Sequence, residues 1–301
     1  MKREIILLGC LIIVGFQISC KKTEPITPPT QPATVTKVTI AYNAISGVDA
    51  NLLSLDIYHF GTTNPQSPVV VYVHGGAWAI GDKANSIENK KSLFASLGYI
   101  LVSINYRLSP SSPSNDPNRV MFPTHNNDVA DAVKWVYDHI GTYGGNKQKM
   151  VLLGHSAGAH LVCLTGTSNQ FLPSRGISLN AIRGIASIDT EGYDVALQCN
   201  DNNANYLNAF GTVAANWLLA SPIHQLSAGV TYPNFFVAKR GTVNRIALAD
   251  SFISKLQSVG VGVNQITANQ YDHEGINEAI GAAGETVVTD PLKAFLAQCF
   301  L

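Results

Sequence analysis

Gly154-His155-Ser156-Ala157-Gly158 sets a serine between two glycines, each two residues away. The apolar run Met150-Val151-Leu152-Leu153 precedes it, and Ala159-His160-Leu161-Val162, able to open a helix, follows. A strand that turns sharply into a helix strains the backbone at its apex, and only small neighbours fit beside that residue. The serine hydroxyl is then lifted off the sheet, and the next backbone N–H, that of Ala157, points at the carbonyl under attack. A Gly-rich strand-to-helix turn of no chemical use would read similarly, but the strand before and the helix after favour a nucleophile. A second segment adds to this. Residues 69–73 are continuously apolar and read as a buried strand running into His74-Gly75-Gly76-Ala77-Trp78. Paired glycines after a strand let backbone amides approach a substrate and hold a developing oxyanion.

The elements that would position these groups follow from periodicity. Residues 35–40 and 52–59 read as opening antiparallel strands. Residues 69–73, 99–104, 150–153, 181–188, 234–238 and 263–267 read as further strands. Helices are expected at 86–97, 127–140, 246–256 and 291–300; the second has apolar residues at 129, 132, 133, 136 and 140. Strands alternating with helices predict an α/β fold, a doubly wound and mostly parallel sheet flanked by helices. In such sheets ligands sit beyond the C-terminal ends of the strands, where both glycine loops fall. Residues 195–220 interrupt the alternation with Asn, Ala, Tyr206, Phe210 and Trp217. They read as a small cap over the acyl or leaving-group pocket, or as an aromatic patch that packs the insert down. No internal repeat is visible.

His74-Gly75-Gly76-Ala77-Trp78, Asn105-Tyr106-Arg107-Leu108, Tyr143-Gly144-Gly145-Asn146, Gly154-His155-Ser156-Ala157-Gly158 and Ser221-Pro222 together span most of the chain after about residue 35. In these segments the chain resembles the α/β-hydrolases of the esterase/lipase type, near the acetyl-esterase, feruloyl-esterase-like and kynurenine-formamidase-like branches. The resemblance implies a serine hydrolase that cleaves carboxylic esters, on short-chain or carbohydrate-linked acyl groups, through an acyl-enzyme. It implies Ser156 as nucleophile, the amides of Gly75, Gly76 and Ala157 as oxyanion hole, and no metal or organic cofactor. The chain order Ser, acid, His leaves His224 and His273 as bases. His224 precedes the strand at 234 and comes too early; His273, in Tyr271-Asp272-His273-Glu274, falls just past the last strand. His74, His155 and His160 read as loop packing.

The acid is the departure from the family pattern. The resemblance puts an Asp where this chain has Asn244, in Arg240-Gly241-Thr242-Val243-Asn244. An amide can hold an imidazole but has no charge to set against an imidazolium, and Asp→Asn in a serine triad of another fold costs about 10⁴ in rate. Asp189, ending the strand beside the nucleophile's strand, is the preferred carboxylate; Asn244 as neutral orienter, Asp250 and Glu191 are the alternatives. Two other functions stay open: an amidase, formamidase or peptidase of the same fold, and a non-catalytic ligand-binding lipoprotein.

The chain has 301 residues, 20 Lys plus Arg against 20 Asp plus Glu, and 13% charged residues. That balance argues against a nucleic-acid partner. Met1-Lys2-Arg3 followed by an apolar stretch to Ile18 has the length of a signal-peptide core, short for a membrane span. Ser19-Cys20 resembles a lipoprotein cleavage site, so residues 1–19 are expected to leave as a signal peptide, with lipid on Cys20. The Pro/Thr-rich residues 20–34 then read as a tether, and 35–301 as the hydrolase domain of a cell-envelope lipoprotein. Membrane contact would run through that lipid alone, with a small-molecule ester as partner. Cys163 reads as core; Cys199 and Cys299 leave one disulfide pairing open.

Overall fold

Apolar runs that alternate faces build the sheet. The computed structural model describes Met1, residues 35–60 and residues 66–301. Apart from Met1, the expected signal peptide, the Cys20 lipid site and the 20–34 tether lie outside the described residues. The strands are β1 (Thr36–Ala41), β2 (Ser54–His59), β3 (Ser67–Val73), β4 (Ile100–Ile104), β5 (Gly145–His155), β6 (Gly184–Ile188), β7 (Asn234–Lys239) and β8 (Val263–Thr267). The helices are α1 (Glu88–Ser96), α2 (Thr124–His139), α3 (Ala157–Thr167), α4 (Val195–Asn200), α5 (Ala204–Phe210), α6 (Ala214–Ala220), α7 (Val243–Ser258), α8 (Gly275–Ala279) and α9 (Thr289–Cys299). Strand order is β1-β2-β4-β3-β5-β6-β7-β8. The β1–β2 and β2–β4 pairs are antiparallel and all others parallel.

Side chains alternate across the strands, so each central strand feeds both layers. Val69, Val71 and Val73 join Leu152, Ile185 and Val237 under α2, α3 and α7. Val70 and Tyr72 join Val151, Leu153, Ala186 and Phe236 under α1, α8 and α9. Every residue of α3 is buried, so the helix that follows the serine is fixed from all sides. Cys163, Cys199 and Cys299 are free and buried. Cys199 belongs to one apolar layer and Cys299 to the other, so the disulfide left open by the sequence is not formed.

Several boundaries differ from the sequence reading. β5 begins at Gly145, because the polar stretch before Met150 still pairs with β3 through Ser67↔Gly145. Residues 179–181 form a 3-10 turn, leaving β6 to start at Gly184. α7 starts at Val243, where the Thr242 side chain accepts from the Arg245 N–H. Residues 195–220 form the three short helices α4 to α6, in which Tyr206 and Phe210 pack edge-on against Trp78. Among the described residues no helix is long and apolar enough to cross a membrane.

The close approach of α3 to β3 depends on Gly158. A Cβ there would lie 2.1 Å from the Val73 carbonyl oxygen and 2.5 Å from that of His74. Gly158→Ala is therefore expected to destabilise the fold by about 3 kcal/mol through overpacking against rigid backbone. Urea unfolding checks this, and an unchanged midpoint would contradict the close approach.

Candidate active site

Three side chains from distant parts of the chain meet at the C-terminal edge of the sheet. Ser156 sits at the elbow between β5 and α3 with φ of +54°, a strained conformation for a residue with a Cβ. Its N–H donates to the Ile188 carbonyl at 3.0 Å. The next residue is Asp189, whose own N–H donates to Ala238 in β7 at 2.8 Å. Serine and carboxylate are thus pinned to neighbouring strand ends. His273 arrives on the loop between β8 and α8, and its backbone carbonyl accepts from His155 Nε2–H at 2.8 Å. The His273 ring spans the gap, with Nε2 2.8 Å from Ser156 Oγ and Nδ1 2.6 Å from Asp189 Oδ2. A carboxylate can only accept, so Nδ1 carries the proton and Nε2 is left to accept from the serine hydroxyl.

Asp189 is 2% exposed and is surrounded by donors. Arg240 Nε donates to Oδ2 at 2.6 Å, Arg245 Nε to Oδ1 at 2.7 Å, and an Arg245 terminal nitrogen to the Asp189 carbonyl at 3.2 Å. Burial by itself would raise the Asp189 carboxyl. The hydrogen bonds from His273 and Arg245, with the charge of Arg245, outweigh it and hold the group below its ordinary value.

The geometry places the other acid candidates elsewhere. Asn244 is exposed on the first turn of α7, and among the described residues no hydrogen bond joins it to His273. Helix capping by Thr242 starts α7 early and carries the position into that turn. Asp250 is ion-paired with Lys239, and Glu191 with Arg245 at 2.6 Å. His224 pairs with Asp194 at 3.3 Å, away from the serine's partner ring. Arg240 and Arg245 escaped the sequence reading. They lie 51 and 56 positions from Asp189, a separation that carries no periodic signal. His155 is more than loop packing, since it also holds the backbone of His273.

The glycine loop lies against Ser156. A Cβ on Gly75 would fall 2.9 Å from Ser156 Cβ, and Gly76 has φ of +106°, with Ile80 O only 2.1 Å from where its Cβ would be. Gly76 and Ala157 line a cleft of about 400 Å³ together with Ser156, His273, Trp78 and Tyr206. Gly75 lines a neighbouring cavity of about 230 Å³ behind the loop. Tyr106 Oη donates to the His74 carbonyl at 3.2 Å and steadies the loop from below. Trp78 Nε1–H donates to His160 Nδ1 at 3.2 Å, and His160 Nε2–H donates to Ala220 at 2.9 Å, joining the loop to the end of α6. Among the described residues His155, His273 and Glu274 have ligand-capable atoms within 4.8 Å of one another. Of these, His155 Nε2 and both His273 ring nitrogens take part in the hydrogen bonds above.

Residues 55–184 match the BD-FAE family model. Among relatives, the probable carboxylic ester hydrolase LipM of Mycobacterium tuberculosis is 31% identical over 208 residues, 64% of this chain and 46% of LipM. The esterase LipQ of the same organism is 39% identical over 116 residues, 38% of this chain and 26% of LipQ. The chain therefore spans less than half the length of these two relatives. Among solved structures, esterase B from Lactobacillus rhamnosis superposes with a TM-score of 0.70 at 20% identity, covering 89% of this chain and 87% of that one. A truncated carbohydrate esterase from gut microbiota superposes with a TM-score of 0.71 at 17% identity, covering 91% and 99%. The sheet order with helices on both faces is the α/β-hydrolase fold. The chain shares that fold with these two esterases.

Buried imidazoles make the fold sensitive to acid. Burial, with the His160 and Arg107 charges, pushes His125 down to about 3. Burial and the nearby His273 push His155 down to about 3, and burial pushes His160 to about 4. All three folded values lie below the ordinary 6.5, so the unfolded chain binds protons that the folded chain refuses. Their contribution is complete above about 6.5 and drains as pH falls toward 3 to 4. Calorimetry should show the thermal midpoint dropping steadily across that window; a flat midpoint would contradict the neutral, buried state of these rings.

Proposed function

We propose that the protein is a serine hydrolase that cleaves carboxylic esters through an acyl-enzyme, acting on short-chain or carbohydrate-linked acyl groups. The observation that carries this reading is the unbroken hydrogen-bond chain Asp189–His273–Ser156 at the floor of the cleft. The esterase names of the relatives support the bond class. The modest volume and the polar lining by Asn203, Asn205, Glu191 and Arg245 support a small, polar ester.

In the proposed reaction Ser156 Oγ attacks the ester carbonyl carbon while its proton passes to His273 Nε2. Asp189, anionic beside Nδ1, holds the required tautomer and offsets the imidazolium charge. The carbonyl oxygen becomes an oxyanion and accepts hydrogen bonds from the amides of Gly75, Gly76 and Ala157. As the carbonyl re-forms, the C–O bond to the alcohol breaks and the alcohol takes the proton from Nε2. Water, deprotonated by the same nitrogen, then cleaves the acyl-enzyme and restores Ser156.

Hydrolysis of p-nitrophenyl acetate tests the assignment of the acid. Ser156→Ala and His273→Ala should abolish turnover, and Asp189→Asn should lower kcat by about 10³ to 10⁴. Asn244→Asp, at an exposed position, should change it by less than about threefold. Full activity in Asp189→Asn, or a gain confined to Asn244→Asp, would overturn the assignment.

A further inference from the structure

Arg245 has more hydrogen-bonding edge than Asp189 uses. Its Nε and one terminal nitrogen face Asp189, and its other terminal nitrogen, Nη1, faces the Glu191 carboxylate at 2.6 Å. Arg245 and Glu191 both line the catalytic cleft, and the Glu191 side chain is 36% exposed there. A guanidinium edge presented to a cleft is a ready partner for a carboxylate. Here the protein supplies that carboxylate itself.

We propose that Glu191 determines charge selectivity: by occupying the outer edge of Arg245 it denies that cation to substrates and excludes anionic acyl groups. The inference rests on the ester-hydrolase reading above. A carboxylate-bearing acyl chain entering the cleft meets the Glu191 charge and finds the Arg245 edge already satisfied. A neutral acyl chain meets neither obstacle. Removing the Glu191 charge frees Nη1 for a substrate carboxylate and removes the repulsion at once, so attraction and rejection change together.

The second carboxylate lining the cleft, Glu274, supplies the control. Glu274→Gln removes the same charge from the cleft without freeing Arg245. The ratio of kcat/KM for p-nitrophenyl hemisuccinate to that for p-nitrophenyl acetate is measured in the parent protein, Glu191→Gln, Glu191→Ser and Glu274→Gln. Both Glu191 variants should raise the ratio by about tenfold, with thermal midpoints showing that they fold. Glu274→Gln should move it by less than about twofold, since a change of net charge at the exposed rim is largely screened. An unchanged ratio in both Glu191 variants, or an equal rise in Glu274→Gln, would overturn the proposal. Absence of any turnover by the parent protein would instead sink the hydrolase reading, and this selectivity with it.

Discussion

A single carboxylate withdrawn from water, that of Asp189, ties the C-terminal edge of the sheet together. A buried anion is tolerated when its partners are close and well directed, and losing one partner leaves an uncompensated charge. Asp189 draws its partners from separate parts of the fold: His273 from the loop after β8, Arg240 from the end of β7, and Arg245 from the first turn of α7. Those segments are therefore held to one another through one side chain. Sheet register does the rest, since His155 pairs with Ile188 and Ile188 with Ala238, which puts the serine and the carboxylate side by side at adjacent strand ends. The two guanidiniums have a chemical cost. They keep the carboxylate ionised, yet they share its negative charge, so less is available to an imidazolium on His273.

Neutral imidazoles hold the other wall of the site. His155 ties the elbow to the loop carrying His273, and His160 ties Trp78 of the glycine loop to the end of α6. Each uses a ring nitrogen as donor, and His160 uses the second as acceptor, which requires the uncharged form. Burial supplies that form by disfavouring the proton. Aromatic packing of Trp78 with Tyr206 and Phe210 then brings α5 over the cleft. The three short helices act as a wall because the loop they rest on is itself fixed by Tyr106.

Much of the fold and part of the site are legible in the sequence, for local reasons. Ser156 announces itself because the elbow demands small residues at Gly154 and Gly158, where any side chain would strike backbone. The central strands announce themselves as apolar runs because both of their faces are buried. Asp189 is legible as a residue at the end of the strand beside the one that leads into Ser156. What escapes is contact between charged groups far apart in the chain. Nothing local marks Arg240 and Arg245 as partners of Asp189, or Glu191 as the partner of Arg245. The start of α7 escapes because a Thr242 cap outweighs the loop-like look of Arg240-Gly241, and that shift carries Asn244 into an exposed turn. The first half of β5 escapes because its polar residues lie in the irregular stretch between Ser67↔Gly145 and Val69↔Met150 and carry no apolar pattern.

The central claim is that Ser156 is a nucleophile activated by an imidazole that Asp189 orients. Reaction with a fluorophosphonate, followed by peptide mass spectrometry, tests it most directly. The account predicts one covalent adduct on the peptide containing Ser156, formed rapidly at neutral pH and lost in Ser156→Ala. A folded protein that stays unlabelled, or one labelled at another residue with Ser156 intact, would contradict it.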